Sequence, residues 1–152
     1  LPDVVLCRCS GLQNTADVRA AYLGFREYLT DAMHIYPARR IYTSGDISFS
    51  RSCRLVIQDG EAALDACLGA IAPVQKDSEE LDLAETLSVY LLDGAMSVTL
   101  TSELLHIHKN TVKYRIHRIS NLLGYRADKM PELLELYKAC AVRRLMVNHD
   151  RK

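Results

Sequence analysis

The sequence predicts an α+β protein, with an incomplete α/β domain over residues 1–72 followed by an all-α, four-helix domain over residues 79–152. Short apolar runs of strand length alternate with helical periodicity in the first part, and only helical periodicity follows residue 79. The stretch between them is polar, contains Pro73 and ends at Ser78, a residue suited to cap the next helix. Residues 73–78 are therefore the predicted linker.

Composition and charge limit the classes of protein that fit this chain. It has 152 residues, a formal net charge of zero and 49% hydrophobic residues, as is typical of a globular protein. No apolar run reaches the ~20 residues that a membrane span requires, and Leu1–Cys9 lacks the features of a signal peptide. We therefore expect a cytoplasmic protein with no membrane partner.

The five cysteines are scattered and odd in number, so we interpret them as reduced, mostly buried thiols. Only Cys7 and Cys9 are closely spaced. A metal or redox role for this pair is the weaker alternative, because no second pair follows at a zinc-like spacing.

Four stretches define the predicted α/β domain. Val4–Cys9 and Arg40–Thr43 are candidate β-strands, and the apolar spacing of residues 16–33 predicts a helix between them. Glu61–Ile71 predicts another helix, and the apolar residues between 47 and 57 fit a short one. Two strands do not make a complete sheet, so we expect part of this domain to lie upstream of Leu1.

The four helices of the second domain are predicted over residues 79–92, 98–105, 109–123 and 131–147. Gly94 is suited to follow the first as its C-cap, and Pro131 is a favoured first-turn residue for the last. The residues of the last helix expected to point inward are Leu133, Leu134, Tyr137, Ala141 and Leu145.

Opposite charges are concentrated in the two parts of the chain. Residues 1–103 contain eight Lys and Arg against fifteen Asp and Glu, a net charge of −7, and residues 104–152 contain eleven against four, a net charge of +7. No acidic residue occurs between Glu103 and Asp128. This asymmetry suggests a polyanionic partner for the basic part; the alternative is two solvated domains that happen to differ in charge.

The predicted helix 109–123 has two unlike faces. Val112, Ile116, Ile119 and Leu123 form a narrow apolar stripe, and the opposite face is built from Lys, His, Asn and Tyr. Such a face suits a helix that lies in the DNA major groove. Together with helix 98–105 and the turn at residues 106–108, it predicts a helix-turn-helix in which helix 109–123 reads the DNA. The predicted DNA-contacting residues are His108, Lys109, Asn110, Thr111, Lys113, Tyr114, His117 and Arg118.

These residues have different predicted roles. Asn110 and Lys113 lie where base edges come within reach, whereas Arg118 lies at the flank, where backbone phosphate passes. Thr111 is expected to be intermediate. For Asn110 a capping role is an open alternative.

A metal site is the weaker interpretation of the histidines, because zinc needs about four converging ligands and no Cys or acid is near. We expect His108 to cap helix 109–123 and His106 to pack or bond across the turn. No nucleophile with its base and no Gly-rich phosphate loop is apparent. We therefore expect no enzymatic activity, no cofactor and no metal.

Residues 97–116 (SVTLTSELLHIHKNTVKYRI), with Glu85-Thr86-Leu87 and Tyr90-Leu91 upstream, resemble the C-terminal helix-turn-helix module of PucR-type and CdaR-type bacterial transcription factors. The resemblance covers about residues 77–147. Ser102 replaces the small Ala usual in the family, and Ala95-Met96 replaces Gly-Asn. Residues 1–72 are similar, more loosely, to the end of the degenerate GGDEF-like domain that precedes this module; without the Gly-Gly-Asp-Glu-Phe motif, cyclase activity is not implied.

The resemblance implies a sequence-specific regulator of transcription that binds double-stranded DNA, and helix-turn-helix proteins usually do so as homodimers. It also implies that the chain is the C-terminal part of a longer protein, whose small-molecule effector is sensed by a region absent here. The alternative function is a helical protein-interaction module that uses the same fold without binding DNA.

Overall fold

The computed structural model describes residues 4–76 and 82–149, and these are mostly helical with one small parallel sheet. The elements in chain order are β1 (Leu6–Arg8), α1 (Thr15–Ile35), β2 (Ile41–Thr43), α2 (Ser44–Gln58), α3 (Glu61–Leu68), a 3₁₀ turn (Gly69–Ile71), α4 (Ala72–Lys76), α5 (Leu83–Ser88), a π-helical segment (Val89–Asp93), α6 (Val98–Leu105), α7 (Lys109–Leu123) and α8 (Glu132–His149).

The α/β part is a β1–α1–β2 unit followed by α2. The two strands pair in parallel, with Leu6 opposite Ile41, and both are shorter than the predicted strands. Helix α2 begins directly after β2, because Thr43 and Asp46 form a capping box in which each side chain accepts a hydrogen bond from the other residue's backbone N–H. The apolar residues that fitted a short helix therefore lie on a helix of 15 residues.

The predicted linker is partly helical. Its residues 73–76 continue the chain as α4, and Val74 is fully buried. Residues 77–78 of the linker, and residues 79–81 of the first predicted helix, lie outside the described residues. The division of the chain into two domains stays a prediction.

Helix α8 joins the two parts of the chain. It packs against α1, α2 and α3 as well as against α5 and the π-helical segment. One hydrophobic core contains buried residues of α1, α2, α5, the π-helical segment and α8, and partly buried residues of α3 pack against it. Ala141 and Leu145 are buried as predicted, but Leu134 is exposed and Leu136 is fully buried instead. The prediction assumed one inward face, whereas a helix packed on two sides buries a wider arc.

A buried arginine at this junction connects α8 to both parts. Arg144 donates from Nη1 to the carbonyl oxygen of Ile35, at the end of α1, over 2.6 Å. It donates from Nη2 to Oδ2 of Asp93, at the end of the π-helical segment, also over 2.6 Å. The guanidinium thus satisfies a buried carbonyl at a helix end and neutralises a buried carboxylate at the same time.

Candidate nucleic-acid interface

Helix α6 is defined at both ends by local backbone contacts. Ser97 is its N-cap, and the Ser97 Oγ accepts a hydrogen bond from the backbone N–H of Leu100. His106 ends the helix in the left-handed conformation, at φ 53°, and its N–H donates to carbonyls of the last turn. Its side chain is exposed, so His106 acts through its backbone and not through packing across the turn.

The approach to α6 is a tight turn. Gly94 is the C-cap of the π-helical segment, as the sequence predicted, but its φ of −83° is not left-handed. Glycine is needed there for another reason: a Cβ at this position would lie 2.4 Å from Oγ1 of Thr101. The left-handed conformations fall on Ala95, at φ 47°, and Met96, at φ 61°. These are the two positions where Gly-Asn is usual in the family that the sequence resembles.

Helix α7 is capped by a histidine, as predicted. His108 has extended backbone angles, and its Nδ1 accepts a hydrogen bond of 3.2 Å from the backbone N–H of Asn110. Asn110 is therefore the second residue of the helix, and the alternative in which it serves as the cap is wrong. Its side chain is exposed and available to a partner.

The two faces of α7 are those predicted from its periodicity. Val112 and Ile119 are fully buried, and Ile116 and Leu123 pack partly buried against the core. The exposed residues of the predicted DNA-contacting set are His108, Lys109, Asn110, Thr111, Lys113, Tyr114 and His117. Arg118, the remaining member, is half-buried at the flank. The structure thus brings the predicted residues to one surface, formed by the start and the outer face of α7.

Sequence reasoning missed the residue that fixes α7 against the rest of the module. Arg115 donates from Nη1 to Oγ1 of Thr86 in α5 over 2.9 Å, and Thr86 itself is fully buried. A signal was present, because Arg115 lies three residues after Val112 and four before Ile119, on the side of the apolar stripe. A cation at such a position indicates a buried polar partner.

Arg126, another cation of the basic stretch, is paired with an acidic residue. Arg126 forms two hydrogen bonds with the carboxylate of Asp128, and this contact lowers the pKa of Asp128.

Within the described residues, no group of three or more His, Cys, Asp or Glu side chains could hold a metal ion. All five cysteines are free, and Cys53 and Cys140 are buried.

Comparison with known proteins identifies the segment that contains this surface. Residues 83–142 match the model of the PucR C-terminal helix-turn-helix domain family. The purine catabolism regulatory protein of Bacillus subtilis (strain 168) is 30% identical over 92 residues, which are 60% of this chain and 17% of that protein. The uncharacterized protein YsfB of the same organism is 29% identical over 93 residues, or 55% of this chain and 25% of its own length.

The matched regions therefore cover a quarter or less of the length of these relatives. No solved structure matches it. In residues 4–76 and 82–149, none of the helices has the length and apolar character needed to cross a membrane.

Proposed function

We propose that this chain binds double-stranded DNA sequence-specifically and regulates transcription, with α7 as the recognition helix. The observation that carries the proposal is the outer face of α7, which exposes hydrogen-bonding and cationic side chains within a segment matching a helix-turn-helix family. The acid-free stretch from residue 104 to residue 127 supports it, because like charge on DNA would repel carboxylates there.

The positions of the side chains assign them different tasks. Asn110 and Lys113 lie in the first turns of α7, where an inserted helix meets base edges, and their amide and ammonium groups suit adenine and guanine respectively. Thr111 and Lys109 lie beside the helix N-terminus, whose free N–H groups favour phosphate. Arg118, at the flank, is assigned to backbone phosphate.

Further features of the complete protein belong to the same proposal. One recognition helix reads only a few base pairs, so we expect a homodimer on paired half-sites. Residues 1–72 are proposed as the end of a GGDEF-like domain without enzymatic activity, and the effector would bind a region outside this chain. The setting for these activities is the cytoplasm.

The test measures binding of the chain to a nonspecific DNA duplex at two salt concentrations by fluorescence anisotropy. We expect the affinity to fall by an order of magnitude or more between about 50 and 200 mM salt, because several phosphate contacts release counterions. Lys113→Glu should weaken binding at both concentrations. Arg51→Glu, an equal charge change on an exposed residue of α2, is the matched control and should have little effect.

The rival function is a protein-interaction module with the same fold. It predicts no salt-dependent shift of duplex DNA and equal behaviour of the two charge reversals. Those results together would remove the proposal.

A further inference from the structure

A cleft of about 400 Å³, lined by no residue of α7, lies between the end of α1, helix α5 and the second half of α8. This volume is within the range of small-molecule sites. Its lining includes both apolar and charged side chains. Its lining residues are Met33, His34, Pro37, Glu85, Arg143, Arg144 and Val147.

The two arginines of the cleft differ in what they hold. Arg144 is occupied by Ile35 and Asp93, so it contributes charge and covers the carbonyl end of α1, which would otherwise repel an anion. Arg143 is about one quarter exposed, and its contact with Glu85 is 3.6 Å long. This distance is longer than a hydrogen bond. Among the described residues that line the cleft, Arg143 therefore has the planar guanidinium group that is available to donate to a ligand.

Glu85 offsets part of the positive charge of the two arginines without being held in place by a hydrogen bond to either of them. Its two carboxylate oxygens lie 3.6 Å from Arg143 and 3.8 Å from Arg144, and its side chain is 41% exposed. Ion pairs of this length at a surface contribute little. A bound anion can therefore replace Glu85 beside Arg143 while Glu85 turns toward water.

We propose that this cleft binds a small organic monocarboxylate with an apolar body. The carboxylate pairs with the guanidinium of Arg143 in the bidentate geometry that this group favours, and the apolar body packs on Met33, Pro37 and Val147. A monoanion is favoured over a dianion such as phosphate, since a second negative charge would face Glu85. The site does not involve the outer face of α7, so the inference goes beyond the proposed function and is independent of it.

The test titrates the isotope-labelled chain, without DNA, with benzoate and with benzamide, its neutral counterpart of equal shape. We expect benzoate to shift the amide signals of residues 33–37, 85 and 143–147 saturably, at millimolar concentration as for other small fragments. Benzamide should bind at least tenfold more weakly.

Two substitutions with opposite expected effects make the assignment specific. Arg143→Gln removes the paired cation and should weaken benzoate binding at least tenfold. Glu85→Gln removes the competing carboxylate and should strengthen binding severalfold. If Arg143→Gln proves unfolded, Arg143→Lys keeps the charge but loses the bidentate fork, and it should bind benzoate more weakly than the wild-type chain.

Three results would overturn the proposal: shifts that do not saturate, equal binding of benzamide, or benzoate binding that is unchanged when Arg143 is replaced. Because DNA is absent from the titration, these results leave the role of α7 untouched, and a failure of DNA binding leaves the cleft untouched.

Discussion

Residues 94–123, the helix-turn-helix segment, and helix α8 are fixed in different ways. In the segment, a glycine, two side-chain caps and left-handed residues set the path of the backbone, and the outer face of α7 stays exposed. Helix α8 is instead packed against elements from both parts of the chain, and its middle is almost fully buried. Local backbone signals thus define the ends of the helices in the segment, whereas α8 is held by contacts distant in sequence.

This difference predicts which substitutions change the stability of the chain and which change its binding to DNA. Substitutions in the middle of α8 should affect the free energy of unfolding strongly. Substitutions on the outer face of α7 should affect DNA binding with little change in stability. Backbone-directed changes near α6 should lie between, with signs set by local conformation.

The largest expected effect is at the centre of α8. Leu136 is fully buried, so Leu136→Ala should lower the free energy of unfolding by about 2–5 kcal/mol through lost burial and the cavity left behind. Leu134→Ala on the same helix is the control. Because Leu134 is 59% exposed, it should cost less than about 0.5 kcal/mol. Chemical denaturation measures both, and comparable losses would contradict the orientation of α8.

The next effect tests the close approach at the start of the segment. Gly94→Ala places a Cβ 2.4 Å from Oγ1 of Thr101, and the shift that this forces should cost about 1–3 kcal/mol. Thr101→Ala removes that oxygen, at the cost of its own hydrogen bond to the Ser97 carbonyl. In the Thr101→Ala background, Gly94→Ala should therefore cost less, and a double-mutant cycle in thermal unfolding measures the difference. Strict additivity would show that the two sites do not touch.

On the outer face of α7, the effects should appear in binding and not in stability. Asn110→Ala and Lys113→Ala should each cost roughly 1–3 kcal/mol on the operator and much less on random DNA, because the proposed base contacts would be lost. Arg118→Ala should weaken binding to every duplex alike and lower the salt slope by about one. Thr111→Ala should fall between these. Anisotropy with operator and random duplexes, beside melting temperatures, separates these classes.

An unchanged operator preference in both Asn110→Ala and Lys113→Ala would remove α7 as the reading element. Loss of stability in parallel with both affinities would mean that these side chains support the fold instead.

The cap of α7 should produce an effect of about 1 kcal/mol. His108→Ala removes the acceptor of the Asn110 N–H and should destabilise the chain by about that amount, whereas His108→Asn keeps a cap and should largely restore stability. Thermal unfolding compares the three proteins. If the asparagine variant were as unstable as the alanine variant, the imidazole would have a role other than capping.

The sequence predicted the elements whose signals are local, and it failed where distant contacts decide. The stripe and cap of α7 could be read from spacing and residue type, since one side of this helix faces solvent. The burial of Leu136 in place of Leu134 could not, because α8 has no single apolar face. Likewise, Asp93 and Ile35 accept hydrogen bonds from Arg144, and both lie far from it in the sequence. The π-helical segment also escaped prediction, as periodicity alone does not distinguish one wide turn within a buried helix.

The smallest expected effect concerns Ala95, and it is stabilising. Its left-handed φ of 47° costs an L-residue roughly 1–2 kcal/mol, and glycine avoids this cost. Glycine also has a larger conformational entropy in the unfolded chain, which offsets part of the gain in stability. Ala95→Gly should therefore raise the free energy of unfolding by about 0.5–1 kcal/mol, and Met96→Asn should act in the same direction because Asn tolerates this conformation. Ala20→Gly, the same substitution at an exposed position inside α1, should instead lower stability by about 1 kcal/mol. Chemical denaturation measures the free energy of unfolding of the three variants. Opposite signs for the two glycine substitutions would show that local backbone conformation sets the stability of the turn before α6. A loss of stability in both would show that the Ala95 side chain makes contacts that outweigh the strain of its backbone.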